Sequence, residues 1–334
     1  MISIVLVNWN GWGDTIACIQ SLLNSQATEA RIIVVDNNSS DESVAAFKSW
    51  SEGELELVSG DGDVGRLAFN GRDKRRNCKF VHYKEAVGAF IGLDLGSNAI
   101  ALAEVEIYVV SADHNGGFSY GCNVGTRLGE KLGSTAYWLL NNDCVVNPGA
   151  LALVSTHLRE HPRSIVGTIL RYYYRPAVIQ AAGGGSFCRL TGRNKLLDRI
   201  PLSRPLDYIN GASFAFSAEC MAEVGVFDAK IFMYFEEIDY CMRAATFGYR
   251  CDVIQTDVFH KHGGSQGNVS SIAAWKQVLA NKHYVLRKHI GWGSWMIFFY
   301  PTLLLRCVLP GGEKNARIGA RQALKQLVFG QTKA

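Results

Sequence analysis

Three short stretches of this sequence gather side chains able to do chemistry. The first is Asn141-Asn142-Asp143, directly after the apolar run Ala136 to Leu140. A carboxylate at a strand end can bind a hard divalent cation, and that cation can bridge a diphosphate. The same residues are equally at home in a plain turn. The second stretch is Phe232-Met233-Tyr234-Phe235-Glu236-Glu237-Ile238-Asp239-Tyr240-Cys241-Met242-Arg243. Read as a helix, it puts Asp239 and Arg243 at i and i+4, where they can pair. Glu236 and Glu237 point about 100° apart on a 3.6-residue turn, so one can be structural while the other faces a cleft. The alternative is a solvated acidic helix start favoured by the dipole; the flanking Phe232, Tyr234 and Phe235 argue against full exposure. The third stretch is His260-Lys261-His262-Gly263-Gly264-Ser265. A histidine placed after a strand can complete a metal site, or can be structural.

These groups need elements to hold them. Ile2 to Val7 is a buried-type strand, followed by the Gly-rich turn Trp9 to Asp14, with Asp14 expected to cap a helix over Thr15 to Asn24. Arg31 to Val35 is a second strand ending at Asp36; the polar turn Asn37 to Asp41 then opens a helix over Glu42 to Trp50. Strand, helix, strand, helix in this short span predicts a parallel α/β sheet. Ligands of such sheets gather beyond the carboxyl ends of the strands, and Asn8 to Asn10 and Asp36 to Asn38 stand at two such ends. Farther on come a strand over Glu106 to Val110, a turn over Ser111 to Phe118 and a helix over Asn123 to Leu132. A helix over Leu151 to His161 precedes a loop-rich middle punctuated by Gly183-Gly184-Gly185 and by Pro201 to Pro205. A short strand over Ala212 to Phe216, a helix over Phe235 to Phe247 and a last strand over Cys251 to Ile254 follow. Beyond His260 the chain reads as helical and basic. Residues 60–104 break the alternation, and the core is expected to close around them.

The 334 residues, 48% of them hydrophobic, suffice for one large domain with an appendage. Charged residues make up 19% and the net charge is +4, with no dominant run of Lys and Arg, so no nucleic-acid partner is expected. The densest basic stretch, Arg72-Asp73-Lys74-Arg75-Arg76, reads as a solvated loop. Nine scattered cysteines form no CxxC; they look like small buried hydrophobes in a reducing, cytoplasmic compartment. No basic n-region or cleavage site marks a signal peptide. Trp292 to Leu309 is apolar and aromatic but interrupted by Pro301 and Arg306. With Arg287, Lys288, Lys314, Arg317, Arg321 and Lys325 around it, this stretch suits the anionic cytoplasmic face of a membrane, so peripheral contact is expected, with a helical lid packed on the core as the alternative. The loop after the first strand lacks GxGxxG, which argues against a dehydrogenase. It also lacks the cation of a sugar-phosphate nucleotidyltransferase loop. A non-catalytic sugar-nucleotide-binding protein would need no base, yet Glu236 and Glu237 are both present.

Taken in order, six segments resemble the family 2 glycosyltransferases of the inverting GT-A fold, and among them the rhamnosyltransferase-like branch. The segments are IVLVNWNGWGDT, IIVVDNNSSDES, NGGFSYGCNVG, WLLNNDCVVNPGAL, the long run from YINGASFAFS through YFEEIDYCMRAATFGYRCDVI, and VFHKHGGS. The resemblance covers most of residues 1–290 apart from 60–104. It implies an α/β GT-A, Rossmann-like domain over 1–265, with a mostly parallel central sheet flanked by helices, an insertion at 60–104 and a helical extension over 266–334. It implies that Asp36 reads the nucleoside with Asn8 and Asn115 nearby. Asn10, Asn38, Gly117, Phe118, Asn123, Asn142 and Gly211 complete the nucleotide-sugar site. Asp143 is expected as an exposed strand-end carboxylate that coordinates Mn²⁺ or Mg²⁺ with Asn141 and His260; Asn141 stands where a strict DxD has an acid. Glu237 is implied as the general base, where relatives often carry Asp, with Glu236 beside it. The expected reaction moves a sugar from a nucleotide diphosphate sugar, dTDP-rhamnose first and a UDP-hexose second. The expected acceptor is a hydroxyl of a cell-surface glycan or lipid-linked acceptor.

Overall fold

The computed structural model describes residues 1–25, 30–55, 62–68, 78–86, 89–91, 105–200, 204–261, 271–291, 301, 303–304 and 314–329. The chain runs β1 (Ile2–Asn8), α1 (Trp12–Asn24), β2 (Ala30–Asp36), α2 (Ser43–Glu52), α3 (Gly62–Ala68), β3 (Cys78–Ala86), β4 (Ala89–Ile91), β5 (Val105–Ser111) and α4 (Gly117–Lys131). It continues through β6 (Ala136–Asn141), β7 (Cys144–Val146), α5 (Ala150–Glu160), β8 (Ser164–Tyr172), β9 (Arg175–Ala182), β10 (Gly184–Phe187), β11 (Asn194–Leu196), β12 (Tyr208–Ile209) and β13 (Ser213–Ser217). It ends with α6 (Ala218–Val224), α7 (Glu236–Thr246), β14 (Arg250–His260), α8 (Ile272–Ile290) and α9 (Lys314–Phe329).

Strands buried on both faces favour apolar residues throughout, which is why β1 and β2 are mostly Ile, Val and Leu and β6 carries Ala, Tyr, Trp and Leu. Among the described residues one sheet has the order β4-β3-β5-β2-β1-β6-β13-β8-β14-β7, with β9 paired to β8. The strands β3, β5, β2, β1 and β6 all run parallel. Register pairs Asn8 with Asp36, Asp36 with Ser111 and Val7 with Asn141, so four strands end level. Successive side chains point to opposite faces. Ile4 and Leu6 therefore enter the layer made with Ile16, Phe47, Trp50 and Leu151, while Val5 enters the layer made with Val124, Leu128 and Tyr240. This is the mostly parallel α/β sheet flanked by helices that the sequence predicts.

Helix α4 lies unusually close to the sheet. A Cβ on Gly121 would stand 2.6 Å from Val7, and one on Gly125 would stand 2.3 Å from Val5. With Gly117 and Gly129 these residues form a four-residue-spaced stripe, so the helix backbone itself rests on β1.

Several boundaries depart from expectation. Helix α1 begins at Trp12, and Asp14 lies in its first turn bonded to Lys261 instead of capping it. Helix α4 begins at Gly117, six residues early. The last strand reaches His260, because a bulge between Ile254 and Asp257 hides its alternation from the sequence. The loop-rich middle contains β8, β9 and a small sheet of order β11-β10-β12. Gly184 and Gly185 are strand residues there: a Cβ on either would collide with the backbone carbonyls of Tyr208 or Lys195.

Residues 60–104 do not merely interrupt the core. Val64 and Ala68 of α3 pack with Val145 and Phe259, and the Asn24 side-chain amide donates to the carbonyls of Leu67 (2.9 Å) and Ala68 (3.1 Å). Strand β3 pairs in parallel with β5 from Cys78 to Lys84. Tyr83 and Glu85 are buried whereas His82 and Lys84 are exposed, the half-polar pattern of a strand near a sheet edge. Cys18, Cys122, Cys144, Cys188, Cys220, Cys241 and Cys251 are free thiols, five of them buried. The basic stretch 72–76, residues 262–270 of the late histidine motif and, apart from Pro301, Leu303 and Leu304, the aromatic run 292–309 lie outside the described residues.

Candidate active site

A cavity of about 610 Å³ opens at the carboxyl edge of the parallel strands. One side is formed where β6 turns into β7. The Asn141 N–H donates to Ala212 O at 3.0 Å, and the Lys261 N–H donates to Asp143 O at 3.1 Å. Strand β7 runs antiparallel to β14, with Cys144 opposite His260. The tight turn thereby sets the Asp143 carboxylate beside the imidazole, Oδ1 to Nε2 at 3.2 Å. Asp143 is only 6% exposed, a correction to the exposed carboxylate expected from the sequence. His260 is the last residue of β14 and does not lie beyond it.

The histidine is oriented from behind. Its Nδ1 lies 3.0 Å from Gln180 Oε1. An amide oxygen only accepts, so Nδ1–H donates to Gln180 and Nε2 is turned toward Asp143 and the Asn141 amide, 3.2 Å away. Metal-ligating histidines are commonly held this way. Asp143, Cys144 and His260 have ligand atoms within 4.8 Å of one another. The buried Cys144 thiol donates to Ala212 O and does not line the cavity, which sets it apart from the other two. One carboxylate and one imidazole remain. That set fits a divalent ion whose other ligands come from water or substrate.

Facing this pair are Glu236 and Glu237, in the first turn of α7. The two residues before them, Tyr234 and Phe235, have φ of 71° and 75°. Left-handed conformations cost non-glycine residues on the order of 1–3 kcal/mol each and persist only where surroundings impose them. Imposition comes partly from α4: the Phe118 N–H donates to Phe232 O at 2.7 Å, and Gly117, at φ +84°, lies so close to that carbonyl that no Cβ would fit. Burial pushes up the pKa of both glutamates; the charge of Glu237 raises Glu236 further, and Glu237 is pushed up to about 7. Glu237 is therefore the member that ionises near neutrality. The Oε2 atoms of both have no hydrogen-bond partner among the described residues. Gly211 keeps the space beside Glu236 open, since a Cβ there would stand 3.6 Å from Oε1. A solvated acidic face is excluded. Asp239 is structural as expected: burial opposes its charge, but His289, Lys288 and Arg243 hold its pKa at about 2.

Of the expected nucleotide-side residues, Asn115, Gly117, Phe118, Asn142 and Gly211 line the cavity, as do Asn141, Asp143, His260 and both glutamates. Asn8 does not. It is 0% exposed, donating to Asp36 Oδ1 at 2.9 Å and accepting from Thr15 Oγ1 at 2.8 Å. Its place is beneath the site, where it orients Asp36, and direct nucleotide contact is corrected to support. Asp36 is itself buried and also accepts from the Ser39 N–H at 3.2 Å. Asn123 is likewise support: its amide bonds to Phe227 N and O, tying α4 to the segment before α7. Asn10 joins the loops after β1 and β2 through Ser39 and Ser40, and Asn38 is exposed at φ 58°. Asn142 donates to Thr15 Oγ1 at 2.9 Å.

Sequence reasoning missed Asn37, Gln180, Asn194, Asn210 and the α8 residues Trp275, Val278, Leu279 and Lys282, all of which line the cavity. Asn37 sits next to Asp36 and bridges to Asn115 Oδ1 at 3.0 Å, so its position at a strand end was a usable signal. Gln180 and Asn194 lie on strands that the glycines concealed. The spacing of 275, 278, 279 and 282 is one helical stripe, legible only once α8 is known to pack on the site.

Residues 3–67 match the family described as "Glycosyl transferase family 2". A curated relative, the low-salt glycan biosynthesis hexosyltransferase Agl10 of Haloferax volcanii, is 27% identical over 145 residues, 42% of this chain and 46% of the relative. The match thus spans about half the length of that relative. Among solved structures, GalNAc-T7 with UDP, GalNAc and Mn²⁺ shares the fold at a TM-score of 0.57, with 15% identity over 97% of this chain and 54% of the other. The mannosyltransferase PcManGT of Pyrobaculum calidifontis, with GDP-Man and Mn²⁺, does so at a TM-score of 0.52, with 13% identity over 99% and 76%. The chain is thus similar to family 2 glycosyltransferases over residues 3–67, and it shares the GT-A fold with these solved structures.

Proposed function

We propose that this chain transfers a hexosyl group from a nucleotide diphosphate sugar to a hydroxyl, with inversion at the anomeric carbon. The observation that carries the reading is the meeting of two unlike groups in one cavity. One is the Asp143–His260 pair, which suits a divalent ion; the other is a carboxyl pair whose Glu237 ionises near neutrality. The mannosyltransferase and GalNAc-T7 structures, each with Mn²⁺ and a nucleotide or nucleotide sugar, support such an ion here, held by Asp143 and His260 with Asn141 alongside. Bound there, Mn²⁺ or Mg²⁺ would neutralise diphosphate charge as the leaving group departs. Glu237 takes the acceptor proton while the hydroxyl oxygen bonds to the anomeric carbon and the bond to the diphosphate oxygen breaks. Glu236, protonated when Glu237 is ionised, orients the acceptor by hydrogen bonding.

For the donor we take dTDP-rhamnose first, on the rhamnosyltransferase-like resemblance, and a UDP-hexose second, on the hexosyltransferase relative and the UDP-bound neighbour. The acceptor is a cell-surface or lipid-linked glycan, reached from the cytoplasmic face of a membrane. The name of the relative, a glycan biosynthesis enzyme, supports a glycan acceptor. A hydrolysis screen of the purified chain against dTDP-rhamnose, UDP-glucose and GDP-mannose tests the reading. Turnover of one sugar, lost in EDTA, restored by Mn²⁺ or Mg²⁺ and absent in Asp143→Asn, is the expected result. Full turnover in EDTA would remove the metal from the reading, and no turnover of any sugar would remove the transfer.

A further inference from the structure

The start of α7 is held from outside α7. Asn281, in the middle of α8, is only 5% exposed. Its side-chain amide donates to Met233 O at 2.6 Å and to Tyr234 O at 3.0 Å, while Gln277 Nε2 donates to its Oδ1 at 3.1 Å. Gln277 thus fixes which way the amide faces, and both Asn281 N–H groups point at the turn that carries the two left-handed residues. We propose that Asn281 is a positioning residue for Glu236 and Glu237, pinning the strained Tyr234–Phe235 turn and so setting where and at what angle α7 begins.

The physical argument is one of over-determination. Two consecutive side-chain-bearing residues at positive φ relax unless something holds them. On one side the α4 start holds Phe232 O; on the other side Asn281 holds the next two carbonyls. Remove the amide and two carbonyls lose their donor, and the turn is free to rotate toward ordinary φ. Glu236 and Glu237 follow directly in the chain and move with it. Helix α8 would stay docked without Asn281, because it has other anchors. Tyr284 and Lys288 both donate to Asp228 Oδ2 at 2.8 Å, and Lys288 and His289 reach Asp239 Oδ1 at 2.8 Å. The local role of Asn281 can therefore be separated from the docking of its helix.

The test uses the full chain with Asn281→Ala, the near-isosteric Asn281→Asp, which turns a carboxylate toward two carbonyls, and Tyr284→Phe, which loses an α8 anchor remote from the turn. Amide hydrogen exchange is followed through residues 235–239. Both Asn281 variants should exchange roughly tenfold or more faster there than the unaltered chain, and Tyr284→Phe should not. The kinetic arm rests on the glycosyl-transfer reading. With whichever of dTDP-rhamnose, UDP-glucose or GDP-mannose is hydrolysed, kcat should fall about 10- to 100-fold in the Asn281 variants, with donor KM within about threefold, as expected for a displaced catalytic group. Should Asn281→Ala fail to fold, Asn281→Ser takes its place. Unchanged exchange, equal acceleration in Tyr284→Phe, or a donor KM that rises in step with the loss of kcat would each overturn the proposal. An unaltered chain that hydrolyses none of the three sugars defeats the transfer reading, while the exchange arm still decides the anchor.

Discussion

Adjacent glutamates in one helical turn differ here by what surrounds each carboxyl. Burial raises both, and because the charge of Glu237 adds to the rise at Glu236, Glu237 loses its proton first. Glu237→Gln keeps the shape but cannot accept a proton, so kcat should fall about 10² to 10⁴-fold with donor binding retained. Loss of activity in Glu236→Gln together with near-normal turnover in Glu237→Gln would exchange the two roles. Stability gives an independent check. A carboxyl whose folded pKa is raised to about 7 favours the fold below its unfolded value near 4.5 and loses that contribution as pH climbs toward 7. Glu237→Gln should therefore raise Tm at pH 8 relative to the unaltered chain while leaving it nearly unchanged at pH 5. A Tm difference between the two chains that does not vary with pH would mean that Glu237 titrates as an ordinary exposed acid. The residue types of Glu236, Glu237, Asp143 and His260, with their spacing, made these four legible in the sequence. What residue types could not convey was depth: Asp143 and Asn8 both stand at strand ends, yet Asp143 reaches the cavity wall and Asn8 is wholly enclosed.

At the level of elements, the readable parts were those whose backbone period matched their burial. β1, β2, β5 and β6 are mostly apolar because both faces are covered, and α5 repeats its apolar residues every three to four positions. The unreadable parts mix signals. β3 alternates because it lies near an edge, β14 is broken by a bulge, and β10 is built from glycines because neighbouring backbones come too close for side chains. Helix α4 shows the same close approach put to use. Its glycine stripe lets the helix lie on β1, and its first residues, Gly117 and Phe118, line the cavity. Gly125→Ala must push a methyl group into Val5, where overpacking costs typically 1–3 kcal/mol. The expected result is a lower urea midpoint with an unchanged m-value, and a higher donor KM as the α4 start shifts. A Gly125→Ala chain as stable as the original would show that the helix can lift off the sheet without strain.

Across the whole molecule the net charge of +4 is small, so its placement matters more than its size. Helix α9 turns Ala320 and Ala323 inward, and Gly319 lets it approach α8 at Trp275. Arg317, Arg321 and Lys325 recur every four residues on another face, and Arg321 and Lys325 are exposed. Since α8 is a wall of the cavity, a surface that held α9 would also hold the cavity mouth near it, which suits a lipid-linked acceptor. No described helix is long and apolar enough to cross a membrane; the contact that α9 itself can make is electrostatic. A basic residue near an anionic bilayer contributes about 1 kcal/mol. Replacing all three by Glu in the full chain should then weaken partitioning onto phosphatidylglycerol vesicles on the order of 100-fold or more, and raising the salt toward 0.5 M should weaken the unaltered chain in the same direction. Donor hydrolysis in solution should be unchanged, because the three residues lie outside the cavity lining. Equal flotation of the two chains, or no flotation of the unaltered chain at low salt, would rule out α9 as a membrane-facing element.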